Sequence, residues 1–335
     1  MCWPAFYYFC SSKFNPELNV YYNTDKLNIV RPVVTVGIFD GVHKGHKYII
    51  SRLLEISERL DGNPVIITLW PHPRHILNNN SSEIRLITTF EEKIKILSSL
   101  GVKNLIIKDF TIEFSRMTAC EFIEKVLVGE IGIHHLVVGY NHRFGSDHVG
   151  DIGKIKECTA KFGFEAEQLE QYREGEGKIS SSEIRKALIK GDVRSAGDML
   201  GHNFFISGSV TGGSRTGRTI GFPTANILPG NFLKILPRDG VYAVEVETAF
   251  GWFHGMLNIG IRPTVNDNPD HKTIEVHIID FDRDIYGRQI DVHFVERIRD
   301  EKKFQSIQEL KKQLIEDKSR AMDILKRYSR LKHEA

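Results

Sequence analysis

The chain has 335 residues, which is enough for two domains of ordinary size, each with its own hydrophobic core. Hydrophobic residues make up 41% of it and charged residues 26%, a composition that excludes an intrinsically disordered or fibrous protein. The net charge of +2 gives no electrostatic footprint for nucleic acid, and no apolar run has the length of a membrane span.

The cysteines favour a reducing compartment. The four of them lack the paired spacing of a zinc site and are too few for a disulfide framework in a chain of this length. We therefore expect a cytoplasmic protein in which Cys120 and Cys158 pack as small apolar side chains. Residues 1–16 do not match a signal peptide and are interpreted as an N-terminal extension of unknown role.

Apolar runs alternate with amphipathic stretches over residues 17–200, which we assign to a first domain. Such alternation is typical of a parallel sheet, so a Rossmann-like α/β fold is predicted. The predicted strands lie at 33–39, 65–69, 105–107 and 136–138, and the predicted helices begin at His46 and span 90–100 and 120–128.

Residues 201–335 follow a different pattern, with strands punctuated by glycine, and are assigned to a second domain. Period-two alternation between turn residues predicts an antiparallel β-barrel. Its strands are predicted at 204–211, 241–247, 252–259, 273–280 and 289–295. The lysine-rich segment 306–331 has helical periodicity, so we expect a C-terminal helix packed on the barrel with its charged face in solvent.

The most informative motif is VGIFDGVHKGH at 36–46, which places His43 and His46 on a glycine-rich turn between a strand and a helix. A helix N-terminus offers unpaired N–H groups and the positive end of the helix dipole, which suit an anion. The imidazoles add hydrogen-bond donors for phosphate oxygens. We interpret the turn as a nucleotide-phosphate site; the alternative is an ordinary strand–turn–helix with two surface histidines.

Three further segments should meet this turn, because the ligand site of an open parallel sheet lies at the carboxyl ends of its strands. They are Pro71-His72-Pro73, the loop GYNHRFG at 139–145 and the helix start ISSSEIR at 179–185. Each brings anion-binding chemistry to a loop or a helix start. Two alternatives stay open: His72 serves turn geometry, and Ser180 with Glu183 forms a capping box that only begins the helix.

The second domain carries a glycine-rich stretch at 208–221, followed by FPTAN at 222–226. Its backbone N–H groups can cradle phosphates, although the Walker pattern is absent and a flexible connection between strands is the alternative. On a later strand, period-two alternation leaves Thr273, Glu275 and His277 on the face opposite the apolar side chains. Glu275 is therefore either an exposed strand carboxylate or a base for a substrate hydroxyl.

Together these motifs resemble the nucleotidyltransferase superfamily, and more closely the prokaryotic bifunctional riboflavin kinase/FAD synthetase family. In the first domain the matching segments are FDGVHxGH, PHP, the RFG loop and ISSSxIR. In the second they are RTGRTIGFPTAN at 215–226, DGVYA at 239–243, NIGIRPT at 258–264 and EVHI at 275–278. The resemblance covers nearly the whole chain and departs from the family pattern at Asn141-His142 and at Val265.

For the first domain the resemblance implies an FMN adenylyltransferase, in which the FMN phosphate attacks the α-phosphorus of ATP and expels pyrophosphate. That phosphate is already ionised at pH 7, so the protein has to align the reactants and neutralise charge. His43 and His46 would hold the ATP phosphates as catalytic residues. The other implied ATP contacts are Gly37, Phe39, Asp40, Ser181, Ser182 and Arg185, and the implied FMN contacts are Asn141 and Arg143.

For the second domain the resemblance implies a riboflavin kinase, in which Glu275 is the catalytic base for the ribityl hydroxyl that attacks the γ-phosphate of ATP. Thr224 and Asn226 would hold Mg²⁺ with the ATP phosphates, since that ion prefers hard oxygen ligands. The implied ATP or flavin contacts are Gly217, Arg218, Gly221, Pro223, Thr224, Asn226 and Arg299. Arg299 is the weakest of these and is equally well interpreted as a surface charge.

The expected function is FAD biosynthesis in two ATP-dependent steps, with riboflavin, FMN, FAD and ATP as small-molecule partners and Mg²⁺ as cofactor. Neither nucleic acid nor a membrane is expected as a partner, and the oligomeric state stays open. One alternative is a flavin- or nucleotide-binding regulator without turnover. Another is an adenylyltransferase for pantetheine phosphate or nicotinamide mononucleotide, which leaves the second domain unexplained.

Overall fold

The structure, a computed structural model, describes residues 18–23, 27–77, 84–140, 145–146, 152–173, 177–212, 216–261 and 272–334, with the backbone alone at 152, 154, 216, 218, 261 and 332–334. The chain divides into two compact units. The first comprises Met1–Ile84 and Phe90–Arg173, and the second comprises Arg85–Thr89 and Glu174–Ala335. No helix within the described ranges is long and apolar enough to cross a membrane.

The first unit is built on a six-stranded sheet whose paired neighbours all run parallel, which confirms the predicted α/β fold. Its strands are β1 (Asn19–Tyr22), β2 (Pro32–Gly37), β3 (Asn63–Trp70), β4 (Asn104–Asp109), β5 (His135–Val138) and β6 (Glu165–Gln168), in the spatial order β1-β4-β3-β2-β5-β6. The four inner strands are the predicted ones. The edge strands β1 and β6 are partly exposed and lack the apolar runs that reveal the others.

Helices connect the strands of this sheet. They are α1 (Lys44–Arg59), α2 (Pro73–Leu77), α3 (Phe90–Ser99), α4 (Ile112–Ser115), α5 (Ala119–Phe122), a π-helix (Ile123–Glu130) and α6 (Ile152–Phe162). Val34, Val65 and Leu136 of the inner strands share a buried cluster with apolar side chains of the π-helix and α6. This packing makes the β2 end a rigid support for the turn that follows it.

Cys120 of α5 and Cys158 of α6 form a disulfide. The expectation that both pack as small apolar thiols is therefore wrong, and Cys120 is exposed, whereas Cys158 lies in the core. The two positions are 38 residues apart in the sequence and are brought together by the packing of α6 beside α5. Sequence spacing alone carries no signal of such a pair.

The second unit is a closed barrel of antiparallel strand pairs, as the sequence predicts. Its strands are β7 (Phe205–Thr211), β8 (Ala225–Pro229), β9 (Gly240–Thr248), β10 (Gly251–Ile261), β11 (Lys272–Ile278) and β12 (Gln289–Arg299), closed in the order β10-β11-β8-β7-β12-β9. Leu257, Val276 and Phe294 belong to its buried core. The strand β8 is absent from the predicted set because it is short and begins inside the FPTAN motif.

Helices flank this barrel at several points along the chain. They are α7 (Ser181–Lys190), α8 (Val193–Leu200), α9 (Thr216–Thr219) and α10 (Ile307–Glu334). Ile184 and Leu188 of α7 pack in the same core cluster as the barrel strands, so the barrel unit begins upstream of residue 201. The predicted C-terminal helix is confirmed as α10, which buries Ala321 and Leu325 against a second apolar cluster of the barrel.

A buried ion pair fixes α10 to the barrel. Nε and Nη2 of Arg299, at the end of β12, donate to the Asp317 carboxylate at 2.9 and 2.7 Å. The Asp317 side chain has no exposed surface, and the Arg299 side chain is 11% exposed. Arg299 is therefore not a surface charge. Its contact with flavin or phosphate stays a prediction, and the commitment of its guanidinium to Asp317 counts against it.

Replacing Arg299 by methionine should lower the free energy of unfolding by about 3–5 kcal/mol, because the Asp317 carboxylate is left buried without its cation. Urea unfolding followed by circular dichroism measures the loss. Arg194 supplies the matched control, since its ion pair with Glu296 leaves 67% of the Arg194 side chain exposed. Arg194→Met should cost about 1 kcal/mol or less, and equal losses in the two variants would contradict the structural role of Arg299.

Candidate active sites

The turn between β2 and α1 brings the two predicted histidines into contact. His43 is the N-cap of α1, and its Nδ1 accepts a hydrogen bond from the backbone N–H of His46 at 3.3 Å. The two imidazole rings stack with their centroids 3.7 Å apart. Because Nδ1 of His43 acts as an acceptor, the neutral ring carries its proton on Nε2, where it can be donated to a ligand.

Three residues of this turn have left-handed backbone conformations. The φ angles are 49° at Phe39, 85° at Gly41 and 41° at Val42. Glycine adopts such angles readily, whereas a β-branched valine does so only under strain. Phe39 and Val42 are 1% and 0% exposed, so the surrounding core holds the strained turn in place. Strain that is maintained by packing in this way is typical of functional sites.

Glycines in the motif make room for aromatic rings. A Cβ atom at Gly45 would lie 3.2 Å from Cε1 of His43, and one at Gly37 would lie 2.9 Å from Cε2 of Phe39. The ring of Phe39 in turn lies 5.1 Å from that of His46, centroid to centroid. The spacing of glycine and histidine in HxGH thus follows from the close packing of these rings over the backbone.

Both imidazoles are uncharged at neutral pH. Burial lowers the pKa of His43 to about 4, although the carboxylate of Asp40 opposes the shift. Burial also holds the pKa of His46 well below its usual value, with smaller contributions from His43 and Lys93. The Nδ1 atom of His46 is buried and makes no hydrogen bond with the described residues. The site therefore offers neutral N–H donors to an anion, together with the N-terminus of α1.

Lys93, on α3, is a residue of this site that the sequence motifs do not reveal. It is 3% exposed, and its Nζ donates to the carbonyl of Ile38 at 2.7 Å and to Oγ1 of Thr68 at 3.2 Å. Its position in the sequence does carry a signal: Lys93 follows Phe90 by three residues and precedes Leu97 by four, so it lies on the apolar face of the helix. A lysine on such a face is rarely buried without a partner or a function.

Of the other two predicted loop segments of the first domain, the structure describes the one at His72 fully and the one at 139–145 only in part. His72 is 7% exposed, and its Nδ1 accepts from the backbone N–H of Arg74 at 3.2 Å, which supports the turn-geometry interpretation. Asn141 and Arg143 lie outside the described residues. Their contact with FMN stays a prediction.

The ISSSEIR segment begins α7 in the second unit. Ser180 is the N-cap and accepts from the backbone N–H of Glu183 at 3.4 Å, while the Glu183 carboxylate pairs with Lys186. Arg185 donates from Nε to the carbonyl of Arg85 at 2.8 Å. Ser180 thus caps the helix. The role of Ser181, Ser182 and Arg185 at the triphosphate stays a prediction.

A second group of predicted residues meets on the barrel. β8 pairs with β11 so that Asn226 lies opposite Glu275, and Asn258 of β10 lies opposite Glu275 on the other side. Oγ1 of Thr224 donates to Oε2 of Glu275 at 3.4 Å. Glu275 is half-buried, so the interpretation of an exposed strand carboxylate is wrong. The Glu275 carboxylate, the Thr224 hydroxyl and the two asparagine amides thus lie together on one face of the barrel strands.

His277 anchors the loop that carries Thr224. Its Nδ1 lies 2.8 Å from the carbonyl oxygen of Pro223, and because a carbonyl only accepts, Nδ1 must carry the proton. Burial lowers the pKa of His277, so the ring is neutral. The ring of Phe222 packs against it at 5.2 Å between centroids. His277 therefore fixes the FPTAN loop relative to the strand that bears Glu275.

Glycines shape the beginning of this loop. The backbone N–H of Phe222 donates to the Gly217 carbonyl at 2.8 Å, and a Cβ atom at Gly217 would collide with the Phe222 carbonyl oxygen. Gly221 has a φ of 85°, which favours glycine. The side chain of Arg218 and residues 213–215 lie outside the described part of the loop, so phosphate binding by Arg218 stays a prediction.

Two family models match successive parts of the chain. A model described as FAD synthetase matches residues 26–183, and one described as riboflavin kinase matches residues 200–325. The chain thus joins a nucleotidyltransferase-type domain to a flavokinase-type domain.

Relatives that combine both activities match this chain over most of its length. Bifunctional riboflavin kinase/FMN adenylyltransferases from Bacillus subtilis strain 168 and Escherichia coli K12 are each 37% identical over 294 residues, covering 87% of this chain and 92% of the relative. A crystal structure titled as a macrolide-efflux protein from Streptococcus pneumoniae is 31% identical with a TM-score of 0.81, covering 90% of this chain and 97% of that one. The chain belongs to the bifunctional riboflavin kinase/FMN adenylyltransferase family, which confirms the resemblance seen in its motifs.

Proposed function

We propose that this chain makes FAD from riboflavin, phosphorylating it beside Glu275 and then adenylylating the FMN product at the β2–α1 turn. The observation that carries the proposal is the presence of two separate reactive groups in one chain. One is a half-buried carboxylate with a hydroxyl neighbour, and the other is a pair of neutral imidazoles at a helix N-terminus. A protein that only bound flavin would need neither a base nor ligands for a leaving group.

In the phosphorylation step Glu275 accepts the proton of the riboflavin hydroxyl as that oxygen attacks the γ-phosphorus of ATP, and ADP leaves. The hydrogen bond from Thr224 orients the carboxylate before the substrate arrives. Thr224 and Asn226 present hard oxygen atoms beside Glu275, so they fit a Mg²⁺ ion shared with the ATP phosphates, and that ion would neutralise phosphate charge.

In the adenylylation step an oxygen of the FMN phosphate attacks the α-phosphorus of ATP, and the bond to the β-phosphate oxygen breaks to release pyrophosphate. His43 donates from Nε2 to the ATP phosphates, and His46 adds a second imidazole beside it. The N-terminus of α1 adds the positive end of the helix dipole. Gly37, Phe39 and Asp40, on the same turn, shape the nucleotide pocket.

A chromatographic time course tests the proposal. The purified chain is mixed with riboflavin and Mg-ATP, and a parallel reaction starts from FMN. We expect FMN to rise first and FAD to follow, with pyrophosphate released in both reactions. Accumulation of FMN without conversion of added FMN would remove the adenylylation step and draw attention to the Asn141-His142 departure. Flavin binding without any ATP consumption would favour the regulator instead.

A further inference from the structure

Lys93 is a buried cation for which neither proposed step has yet provided a role. Its side chain is 3% exposed on the inner face of α3. Placing an ammonium group in a protein interior costs several kcal/mol unless hydrogen bonds and nearby charge compensate it. A neutral side chain of similar length would avoid that cost, so the charge itself calls for an explanation.

The ammonium lies at the carboxyl edge of the sheet. Nζ donates at 2.7 Å to the carbonyl of Ile38, the residue that follows β2, and at 3.2 Å to Oγ1 of Thr68. Thr68 is paired with Gly37 across the β2–β3 ladder, and its own hydroxyl donates to the Ile38 carbonyl at 3.3 Å. Lys93 and Thr68 therefore hold one carbonyl from two directions, immediately before the strained turn at Phe39.

The charge of Lys93 reaches the turn itself. The carboxylate of Asp40 stabilises the ammonium, and the ammonium in turn disfavours protonation of His46. Asp40 and His46 are the titratable groups that act with Lys93 in the described part of the turn and of α1. The buried cation thus lies close enough to Asp40 and His46 to act on both through its charge.

We propose that Lys93 is a positioning residue for adenylyl transfer: it fixes the Ile38 carbonyl, and through it the turn that carries His43 and His46, while its charge offsets the negative charge that builds on the α-phosphate. This inference rests on the proposed function of the turn. Lys93 acts through the turn and through the electric field, and needs no direct contact with ATP.

The pH dependence of the reaction reports on this role. Burial lowers the pKa of Lys93 to about 8, although Asp40 opposes the shift. The ammonium is therefore present at pH 7 and is lost as the pH rises through about 8. The second ionisation of a phosphate monoester has a pKa of about 6, so FMN keeps its charge across the pH range in which Lys93 titrates. Adenylylation should accordingly fall above pH 8 in the natural chain.

Three variants test the inference in the full chain, with FMN adenylylation measured from pH 6.5 to 9.5, a range of about three units around the expected fall. Lys93→Gln should lower kcat about 10²-fold or more and abolish the fall above pH 8. Lys93→Arg keeps a charge that does not titrate in this range, so it should retain more activity than Lys93→Gln and show no alkaline fall. Lys95→Gln, on the exposed face of the same helix, should match the natural chain.

Riboflavin phosphorylation by the same preparations reports on the barrel, and far-UV circular dichroism with thermal unfolding, compared with Lys95→Gln, shows whether the first unit is folded. Activity of Lys93→Gln within about threefold of the natural chain, or an alkaline fall that persists in that variant, would overturn the inference. If the natural chain adenylylates FMN at no pH, the proposed function fails instead, and the two failures are thereby distinguished.

Discussion

Replacing Glu275 by glutamine should lower the rate of riboflavin phosphorylation about 10²–10⁴-fold and leave FMN adenylylation unchanged. Glutamine has the size of glutamate and can still accept the hydrogen bond from Thr224, but it cannot take a proton from the substrate hydroxyl. The loss should appear in kcat rather than in the KM for riboflavin, because the lost interaction belongs to the transition state.

Steady-state kinetics with riboflavin and with FMN as separate substrates make this measurement. Glu247→Gln is the matched control, since Glu247 is an exposed carboxylate on barrel strand β9, which does not pair with the strand that bears Glu275. It should leave both rates unchanged. A Glu275→Gln variant that phosphorylates riboflavin at near the natural rate would exclude Glu275 as the base, whatever the state of the adenylylation site.

The sequence reveals the barrel site through its motifs, and the structure supplies the contacts. Period-two alternation places Glu275 on the polar face of its strand, and the structure confirms that face, since Val276 belongs to the barrel core. The pairing of Glu275 with Asn226 was beyond the reach of the sequence, because β8 is too short to be recognised as a strand. Register between distant strands is set by tertiary packing and has no local signal.

In the first unit, too, the sequence reveals a motif but not the buried polar residue that contacts it. The HxGH turn is visible in the sequence because its glycines and histidines form a recognisable motif. Lys93 is not, because its function depends on the carbonyl of Ile38, which is 55 residues away. A lysine on an apolar helix face is the one local sign, and it does not say which element the ammonium meets.

The sequence predicts the helix α7 but not the core against which that helix packs. Strand–helix alternation continues through this segment in the sequence, yet Ile184 and Leu188 are buried with the barrel strands. Helical periodicity reports which face is apolar and does not report which core receives it.

Replacing His46 by alanine should lower FMN adenylylation about 10²–10³-fold and leave riboflavin phosphorylation unchanged. The ring of His46 stacks on that of His43, and its buried Nδ1 makes no hydrogen bond with the described residues. Removing it takes away one donor for the phosphates and the support that orients the other imidazole. His46→Asn restores an N–H donor without the aromatic stack, so it should recover only part of the rate.

The control is His134→Ala, because His134 is exposed and lies in the same unit. The sign of the pH effect separates a neutral donor from a charged one. With the pKa of His43 at about 4 and that of His46 also lowered, neither ring gains or loses its charge between pH 6 and 8. An imidazolium donor would instead lose activity as the pH rises through about 6.5. An adenylylation rate that does not decline as the pH rises through about 6.5, and that is lower in His46→Ala at every pH measured, therefore identifies the neutral imidazole as the phosphate ligand; a rate that declines near 6.5 assigns that role to the charged form.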